Sequence, residues 1–456
     1  MKNPSMRVGQ ALWIACPVIL FVVMFGHMTG IVNVALVVLA IGTLGAAFSA
    51  DRPSVLRWPL MVPVLAWAAW TAGAVAWSAW PEVSLHAWFD EVLYPLVAFW
   101  AFWLVGSRAE QPARLALVTW VACLLLAIMS ALNWGHLQPP TPMTFPLHYY
   151  NRVGHTSTLA MFAIPVFAGL MLGWRWRLTG ALGVVACLFI GLATLNRFFW
   201  PAVAVTLLIA LFPLYRKRVL LALVLMLAVA AAGVGTLELS ARLRFGNAAP
   251  PPEQHVLVLD GHTFYVPASL SGIDDTLSSD TRPKLWAFYG AVGESHTWTG
   301  IGFGKPLPGM VYRAQMPASL LNIEPLAPTH AHNLFLNTWL QTGVIGVVLQ
   351  SLLLLCLVRR FWRFRLTAPW VCAAGIALVA GMVVKNFTDD FMWQTTMLAF
   401  WSFAGLLLGS GERKAHLLPS ARSASPVSMR TGRPTMQEKG PLLIATHQNG
   451  SHGSDA

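Results

Sequence analysis

Residues 329–358 read THAHNLFLNTWLQTGVIGVVLQSLLLLCLV, a polar start that runs directly into a long apolar segment. The apolar part, 333–358, is long enough to cross the roughly 30 Å hydrocarbon core of a bilayer as a helix. Polar side chains at a membrane boundary must be satisfied by protein or water, so they are expensive to keep without a use. One interpretation is therefore a functional site. The other is an ordinary helix start, with Asn333 as N-cap and with Gly343 and Gly346 allowing close helix packing.

The composition extends this prediction to the whole chain. Of the 456 residues, 56% are hydrophobic and only 11% are charged, with a mean hydropathy of +0.61. Soluble proteins have about 25% charged residues, so the chain is predicted to be an all-α integral membrane protein. Twelve apolar runs are long enough to span a bilayer. They lie near 11–28, 30–48, 57–78, 90–106, 114–133, 156–173, 178–194, 198–214, 219–236, 333–358, 367–386 and 391–410.

The net charge of +12 has a membrane explanation and does not require a nucleic-acid partner. Basic residues occur in alternate loops between the predicted spans, which is the positive-inside pattern, and this places both termini in the cytoplasm. The clearest of these loops contain Arg52 and Arg57, Arg175 and Arg177, Arg216 to Arg218, and Arg359 to Arg365. The loop with Glu82, Asp90 and Glu91, on the other side, has neither Lys nor Arg.

The predicted spans divide the chain into four parts. Residues 1–235 contain the first nine spans, 236–332 form one large external loop domain, 333–410 contain the last three spans, and 411–456 form a cytoplasmic tail without fixed structure. Within the external segment, Arg282, Trp286 and Tyr289 have the spacing of one helix face, which predicts a helix near Arg282–Val292. Loops of this length are usually functional or disordered, and the aromatic content favours an ordered lid.

Three cations break the topology rule because they fall in short external connections: Arg152, Arg197 and Lys385. Arg197 lies in a tight turn with apolar residues on both sides. There it can either extend to lipid phosphates or point into a cavity and bind an anion. An arginine suits a diphosphate because its planar guanidinium donates two parallel, charge-assisted hydrogen bonds.

Neither a metal nor another cofactor is predicted. His330 and His332 are two residues apart, so on a helix their side chains would point in different directions, and no third ligand is nearby. The acidic pairs Asp274-Asp275 and Asp389-Asp390 lack the Asp-x-Asp arrangement. All five cysteines lie inside predicted spans, which indicates apolar filling and not a disulfide framework.

Five motifs follow one another along the chain. They are Arg197 at the start of a central span, Ser278-x-x-x-Arg282-x-x-x-Trp286, Gly300-x-Gly302-x-Gly304, His330-x-His332-Asn333, and an acidic residue, Asp389 or Asp390, at the external end of the penultimate span. In this order they resemble the O-antigen ligase family of bacterial membrane glycosyltransferases, which also contains O-antigen polymerases and protein O-oligosaccharyltransferases. The resemblance covers about residues 150–400. The turn Asn-Arg-Phe-Phe-Trp departs from it, because relatives often have small residues after the arginine.

The resemblance implies a GT-C-like enzyme of the inner membrane whose active site faces the periplasm. It would transfer polysaccharide from undecaprenyl diphosphate to lipid A–core oligosaccharide, with inversion and without a metal. His332 would be the general base, Arg197 and Arg282 the diphosphate clamp, and Asp389 an orienting residue. The glycine element would form a tight turn or place backbone amides near the substrate. The expected substrate-binding residues are Tyr150, Arg152, His155, Trp286, Tyr289, His330 and Asn333.

Two alternatives remain open at the sequence level. Within the family, a polymerase or a protein O-oligosaccharyltransferase would have the same donor residues and a different acceptor. In another class, a polysaccharide-lipid flippase or other transporter would carry out no chemistry. A transporter is expected to have charged or broken helices near the membrane midplane. The predicted spans have almost no charge, which favours chemistry at one membrane face.

Overall fold

The computed structural model describes residues 4–25, 29–48, 57–108, 111–132, 153–172, 176–194, 196–245, 255–259, 262–266, 282–323, 329–388 and 390–423. The described chain is helical except for one hairpin. Its helices are α1 (Pro4–Phe25), α2 (Thr29–Ala47), α3 (Met61–Ala76), α4 (Pro81–Trp88), a π-helical turn (Phe89–Leu93), α5 (Tyr94–Gly106), α6 (Gln111–Leu132), α7 (Val153–Leu172), α8 (Arg177–Ala193), α9 (Phe199–Ala210), α10 (Phe212–Tyr215), α11 (Val219–Phe245), α12 (Arg282–Gly293), α13 (Leu307–Tyr312), α14 (Ala318–Ile323), α15 (Leu334–Trp362), α16 (Pro369–Phe387) and α17 (Thr395–Ser423). Three 3₁₀ turns lie at Glu294–His296, Arg313–Gln315 and Arg363–Arg365, and the antiparallel hairpin pairs β1 (His255–Leu259) with β2 (His262–Val266).

Helices of the length and apolar composition of membrane spans are confirmed for a large part of the chain. Seven described helical segments are long and apolar enough to cross a bilayer, and four shorter apolar helices accompany them. Each of the twelve apolar runs found in the sequence coincides with a helix. The seven segments are Gly30–Ala47, Pro81–Gly106, Gln111–Leu132, Gly154–Leu172, Val219–Thr236, Leu334–Arg365 and Pro369–Phe387.

The structure extends two helices beyond their apolar runs, adds one hairpin and confirms one helix. The apolar part of α11, Val219–Thr236, agrees with the predicted ninth span, and the helix continues to Phe245. The hairpin of β1 and β2 lies in the segment between the ninth and tenth predicted spans. Helix α17 continues to Ser423, so the chain after Gly411 remains helical for several turns, and residues 424–456 lie outside the described part. The predicted helix near Arg282–Val292 is confirmed as α12.

Glycines allow the central helices to approach closely. Helices α5 and α17 pack together along their length. A Cβ atom at Gly405 would lie 2.2 Å from the carbonyl oxygen of Phe99, and one at Gly409 would lie 2.2 Å from that of Trp103. Between membrane helices, where hydrocarbon solvates apolar side chains well, such backbone proximity is a main source of association through van der Waals contact.

Helix α15 is broken at Gly343, whose φ of 70° and ψ of −173° are non-helical. The break is braced by the Gly300–Gly304 element: the amides of Ile301 and Gly302 donate to the carbonyls of Leu340 and Gln341, each at 3.0 Å. In return, the Val344 amide donates to the Thr297 carbonyl at 2.8 Å. Backbone groups released by a broken helix must be paired at membrane depth. The glycine element meets this need, so these amides contact protein and not substrate.

We expect Gly343→Ala to destabilise the protein by about 3 kcal/mol or more, because only glycine adopts this conformation readily. An alanine Cβ would also lie 2.0 Å from the Trp298 carbonyl oxygen. Thermal unfolding of the purified protein in detergent measures the loss. Gly290→Ala in α12 is the matched control, since its Cβ would have nothing within 4 Å. It should be neutral or stabilise by up to about 1 kcal/mol. Equal stability of the two variants would contradict the brace.

Candidate functional site

The turn that presents Arg197 is pinned to helix α7. The Asn196 side chain accepts a hydrogen bond from the Phe198 amide at 3.0 Å and donates one to Ser157 Oγ at 2.9 Å. Asn196 is 5% exposed, so these bonds form in a buried setting. An Asn side chain bonded to the backbone two residues later stabilises a tight turn. The position of Arg197 is therefore set by the protein and does not depend on lipid contact.

Arg197 and Arg282, predicted as a pair, are brought together around one aromatic ring. The guanidinium carbon of Arg197 lies 4.8 Å from the Phe198 ring centroid, and that of Arg282 lies 4.2 Å from the same centroid. Cation–π attraction to Phe198 partly offsets the cost of placing two cations together. A pair of arginines presented in this way is suited to bind a multivalent anion with hydrogen bonds from both guanidinium groups. Phe198, the residue that departs from the family pattern, is thus their shared platform.

Trp286 lies one turn beyond Arg282 on α12 and is half-buried. Its indole N–H has no hydrogen-bond partner in the described part of the chain. Tyr289, by contrast, is fully buried against a small apolar cluster that includes Leu285 and Leu307. Burial raises the pKa of the Tyr289 hydroxyl, which keeps the group neutral. In this structure Tyr289 packs α12 onto this apolar cluster, whereas Trp286 is only partly buried.

The relative orientation of the two histidines is corrected by the structure. Their rings are adjacent, with centroids 4.0 Å apart and planes inclined by 33°. The expectation of divergent side chains assumed a helix, whereas α15 begins only at Leu334 and His332 has a φ of 50°. His330 Nδ1 is also within 2.8 Å of Thr329 Oγ1. The histidines therefore form one unit in front of the helix.

Asn333 is the N-cap of α15, as the simpler interpretation of the motif predicts. Its side-chain oxygen accepts hydrogen bonds from the amides of Phe335 and Leu336 at 3.0 and 3.1 Å. Its Nδ2 donates to the carbonyl of Phe387 at 2.8 Å. These contacts satisfy two orphan amides and join the start of α15 to the end of α16. They show a positioning role for Asn333, which holds His332 at this junction.

The histidine unit and the Arg197 turn lie at the same end of the helix bundle. Helix α16 packs against both α9 and α15. Gly381, near the end of α16, approaches Thr206 in α9 so closely that a Cβ would lie 2.1 Å from the Thr206 hydroxyl. From this contact, α16 runs on to its C-terminal end beside Asn333. Helix α9, followed from Thr206 back toward its N-terminus, begins just after Arg197. The residues are separated in sequence but reach the same face.

The predicted acidic residue, Asp389, lies outside the described residues, as do Tyr150 and Arg152. Its neighbour Asp390 is 3% exposed and accepts a hydrogen bond from Asn337 Nδ2 at 2.9 Å. Its Oδ1 lies 3.8 Å from Lys305 Nζ, and the same amine contacts the Asp390 carbonyl. Asp390 therefore joins the final loop to α15 and to the residue that follows the glycine element.

A buried charged cluster of Glu91, Lys305 and Asp390 was not identified from the sequence. Lys305 is 7% and Glu91 8% exposed. A cavity of about 50 Å³ lies between Glu91, Asp390 and Gln341, whose side chain also accepts from the Gly304 amide at 2.8 Å. Of these three residues only Glu91 lies in a predicted span, 90–106, so the cluster is compatible with the expectation of nearly uncharged spans. The sequence contained one signal for this cluster: Lys305, a further external cation directly after the Gly300–Gly304 element.

His155 lies beside the loop that connects α16 and α17. Its ring centroid is 6.2 Å from those of both Phe391 and Trp393. Lys385, another of the unexpected external cations, is fully buried with its amine 3.9 Å from the Phe391 centroid. The loop thus packs against His155 through Phe391 and Trp393, and it joins the charged cluster through Asp390. Within the described ranges, no group of three His, Cys, Asp or Glu residues is arranged to hold a metal ion.

We expect Lys305→Met to lower stability by about 3–5 kcal/mol, because it removes the cation that pairs with the buried Asp390 carboxylate. Thermal unfolding in detergent measures this loss. Adding Asp390→Asn should recover part of it, since the double variant buries one charge fewer. The exposed Lys284, changed to Met, is the control and should be nearly neutral. A single variant as stable as this control would show that the cluster is not a buried ionic unit.

Comparison with known proteins gives one match. Residues 182–351 match the family model described as O-antigen ligase. The matched range contains Arg197, Arg282, Lys305 and the histidine unit, whereas His155, Glu91 and Asp390 lie outside it. No curated protein matches the chain.

Proposed function

We propose that the protein is an O-antigen ligase of the bacterial inner membrane, because residues 182–351 match the family model described as O-antigen ligase. The donor is polysaccharide carried on undecaprenyl diphosphate, and the acceptor is a hydroxyl of lipid A–core oligosaccharide. Both substrates are anchored in lipid, which fits a site at one end of apolar helices. The positive-inside pattern of the loops favours a periplasmic location for this end.

The observation that carries the proposal is the arrangement of Arg197 and Arg282 around Phe198. Two guanidinium groups presented on one ring can both donate charge-assisted hydrogen bonds to a multivalent anion, and a lipid diphosphate is an anion of this kind. The neighbouring His332 supplies the type of group that removes a proton near neutral pH. Diphosphate release and deprotonation of an incoming hydroxyl are the two requirements of glycosyl transfer from this donor.

The reaction is a direct displacement. The acceptor oxygen attacks the anomeric carbon, and its proton passes to the imidazole of His332. The bond between the anomeric carbon and the diphosphate oxygen breaks, and its electron pair leaves with the diphosphate. Arg197 and Arg282 stabilise the developing negative charge with preorganised hydrogen bonds. A single displacement inverts the anomeric configuration, and the arginines take the part that a metal ion plays in other enzymes that use sugar diphosphates.

The acceptor distinguishes a ligase from a polymerase or a protein O-oligosaccharyltransferase. Deleting the gene and comparing lipopolysaccharide on gels tests the assignment. If the protein is a ligase, the deletion strain should lose lipid A–core capped with O-antigen, while the lipid-linked polymer persists. Short O-antigen still attached to lipid A–core would instead indicate a polymerase. Unchanged lipopolysaccharide with loss of protein glycosylation would indicate the protein-modifying enzyme.

A transporter is the alternative from another class, and the broken helix and buried charges are features it would share. Two observations favour an enzyme. The backbone groups released at Gly343 are paired with the 297–302 segment, and the buried Lys305 is paired with Asp390. Transfer by the purified protein in detergent decides the matter, because no membrane separates two compartments there. A new glycosidic bond requires an enzyme, and its absence with both active substrates present would contradict the proposal.

A further inference from the structure

A second cavity, of about 170 Å³, lies between α2, the π-helical turn and the start of α17. It is smaller than the roughly 300–1,000 Å³ pockets of drug-sized ligands and fits one ring-sized group. Its lining combines carboxylate, amide and hydroxyl groups with aliphatic side chains. The polar residues are Asn33, Asp90, Tyr94, Gln394 and Thr395.

Two unusual backbone features shape this cavity. Asp90 lies on the π-helical turn Phe89–Leu93, a rare geometry that is frequent at functional sites. The turn places consecutive acids in different cavities: Asp90 lines this one, and Glu91 lines the smaller buried one. On the opposite wall, Gln394 has a φ of 43°, which is uncommon for a residue other than glycine. Backbone strain of this kind persists where the surroundings hold a side chain in a required position.

Asp90 and Gln394 both line the cavity, so a carboxylate and a side-chain amide face the same space. Together the carboxylate, the amides and the hydroxyls offer both acceptors and donors, which matches the alternating hydroxyl groups of a sugar ring. The carboxylate disfavours phosphate and other anions. The chemistry of this cavity is therefore opposite to that of the arginine pair.

The cavity is also connected to the candidate site through one loop. Residues 390–395 carry Asp390 in the charged cluster, Phe391 and Trp393 beside His155, and Gln394 in the cavity wall. Helix α2 presents exposed apolar side chains such as Val34 and Val37 next to Asn33. A glycan anchored in lipid can reach the cavity along this apolar face.

We propose that Asn33, Asp90 and Gln394 form a binding subsite for an uncharged sugar residue of one of the two lipid-anchored glycans. The inference rests on the proposed function. The shared chemistry is a hydroxyl-rich ring without phosphate, and its source is either the acceptor oligosaccharide or the donor polysaccharide.

Titration calorimetry with the full-length protein in detergent tests the subsite. The probes are delipidated core oligosaccharide and delipidated O-polysaccharide, both released from lipopolysaccharide by mild acid. We expect Asp90→Ala to weaken binding of one probe by about tenfold or more, as for loss of one hydrogen bond to a charged group. Gln394→Gly should weaken the same probe, and it relieves the unusual φ, so misfolding would not explain its effect. Val37→Ala, on the same helix as Asn33 but outside the cavity, should change neither.

The identity of the weakened probe assigns the subsite to acceptor or donor. Asp90→Leu removes the carboxylate and makes the cavity more apolar, which would favour a lipid chain but not a sugar. It should therefore weaken glycan binding as Asp90→Ala does. Unchanged binding of both probes in all three cavity variants would overturn the inference. The sugar subsite and the proposed function can fail separately. Wild-type protein that binds a probe through Asp90 but forms no glycosidic bond would refute only the proposed function.

Discussion

The His332→Ala protein is expected to lose glycan transfer by at least about 100-fold, the lower end of what a general base contributes. The donor diphosphate should still bind, because Arg197 and Arg282 make that contact elsewhere at the site. Initial rates with purified donor and acceptor measure the loss, and donor binding is measured separately on the same preparation.

Backbone conformation complicates the alanine variant, so a second substitution is needed. His332 has a φ of 50°, a region that asparagine adopts more easily than alanine does. His332→Asn should therefore fold normally and remain as inactive as His332→Ala. An asparagine variant that transfers glycan at close to the wild-type rate would show that the acceptor hydroxyl needs no imidazole base.

His330 is the matched control for chemistry. Its ring lies against that of His332, with the centroids 4.0 Å apart, so His330→Ala removes a packing partner and leaves the base. We expect a smaller loss of activity than in His332→Ala, through less accurate positioning of His332. A loss as large as that of His332→Ala would instead assign the base to the pair of rings or to His330.

The second large effect is expected at the arginine pair. Arg197→Lys and Arg282→Lys should each lower transfer by about 100-fold, comparable to removing one preorganised donor from an oxyanion site. Lysine keeps the charge but loses the planar, two-point hydrogen bonding to phosphate oxygens. Rates and donor KM are measured for each variant, with expression and melting temperature as checks on folding.

Two comparisons sharpen this prediction. The exposed Arg313 lies in the same external segment, and Arg313→Lys should be nearly silent. Phe198→Leu removes the shared ring while keeping both guanidinium groups, so it should be milder than either arginine variant. Full activity in Arg197→Lys would mean that charge alone is sufficient. Activity should also survive EDTA, and loss in EDTA with recovery in Mg²⁺ would refute transfer without a metal.

Local patterns in the sequence were sufficient for the helices and singled out several candidate site residues. The apolar runs predicted helices because a chain in hydrocarbon must satisfy its backbone internally, and this requirement is local. The helix at α12 followed from the spacing of Arg282, Trp286 and Tyr289. Arg197 stood out as a cation on the wrong side of the topology. The simpler of two interpretations of the motif made Asn333 a cap, and the structure shows that cap.

Tertiary structure alone decided how these parts meet. The stacking of His330 on His332 depends on a non-helical backbone that no periodic pattern reveals. The pairing of Arg197 with Arg282 needed Phe198 between them, and the burial of Tyr289 depended on how α12 packs. Glu91, Lys305 and Asp390 come from segments far apart in the chain. Buried charges must find partners in space, and sequence distance does not limit that choice. For the same reason, the loop that braces Gly343 became visible only when the broken helix and the glycine element were seen together.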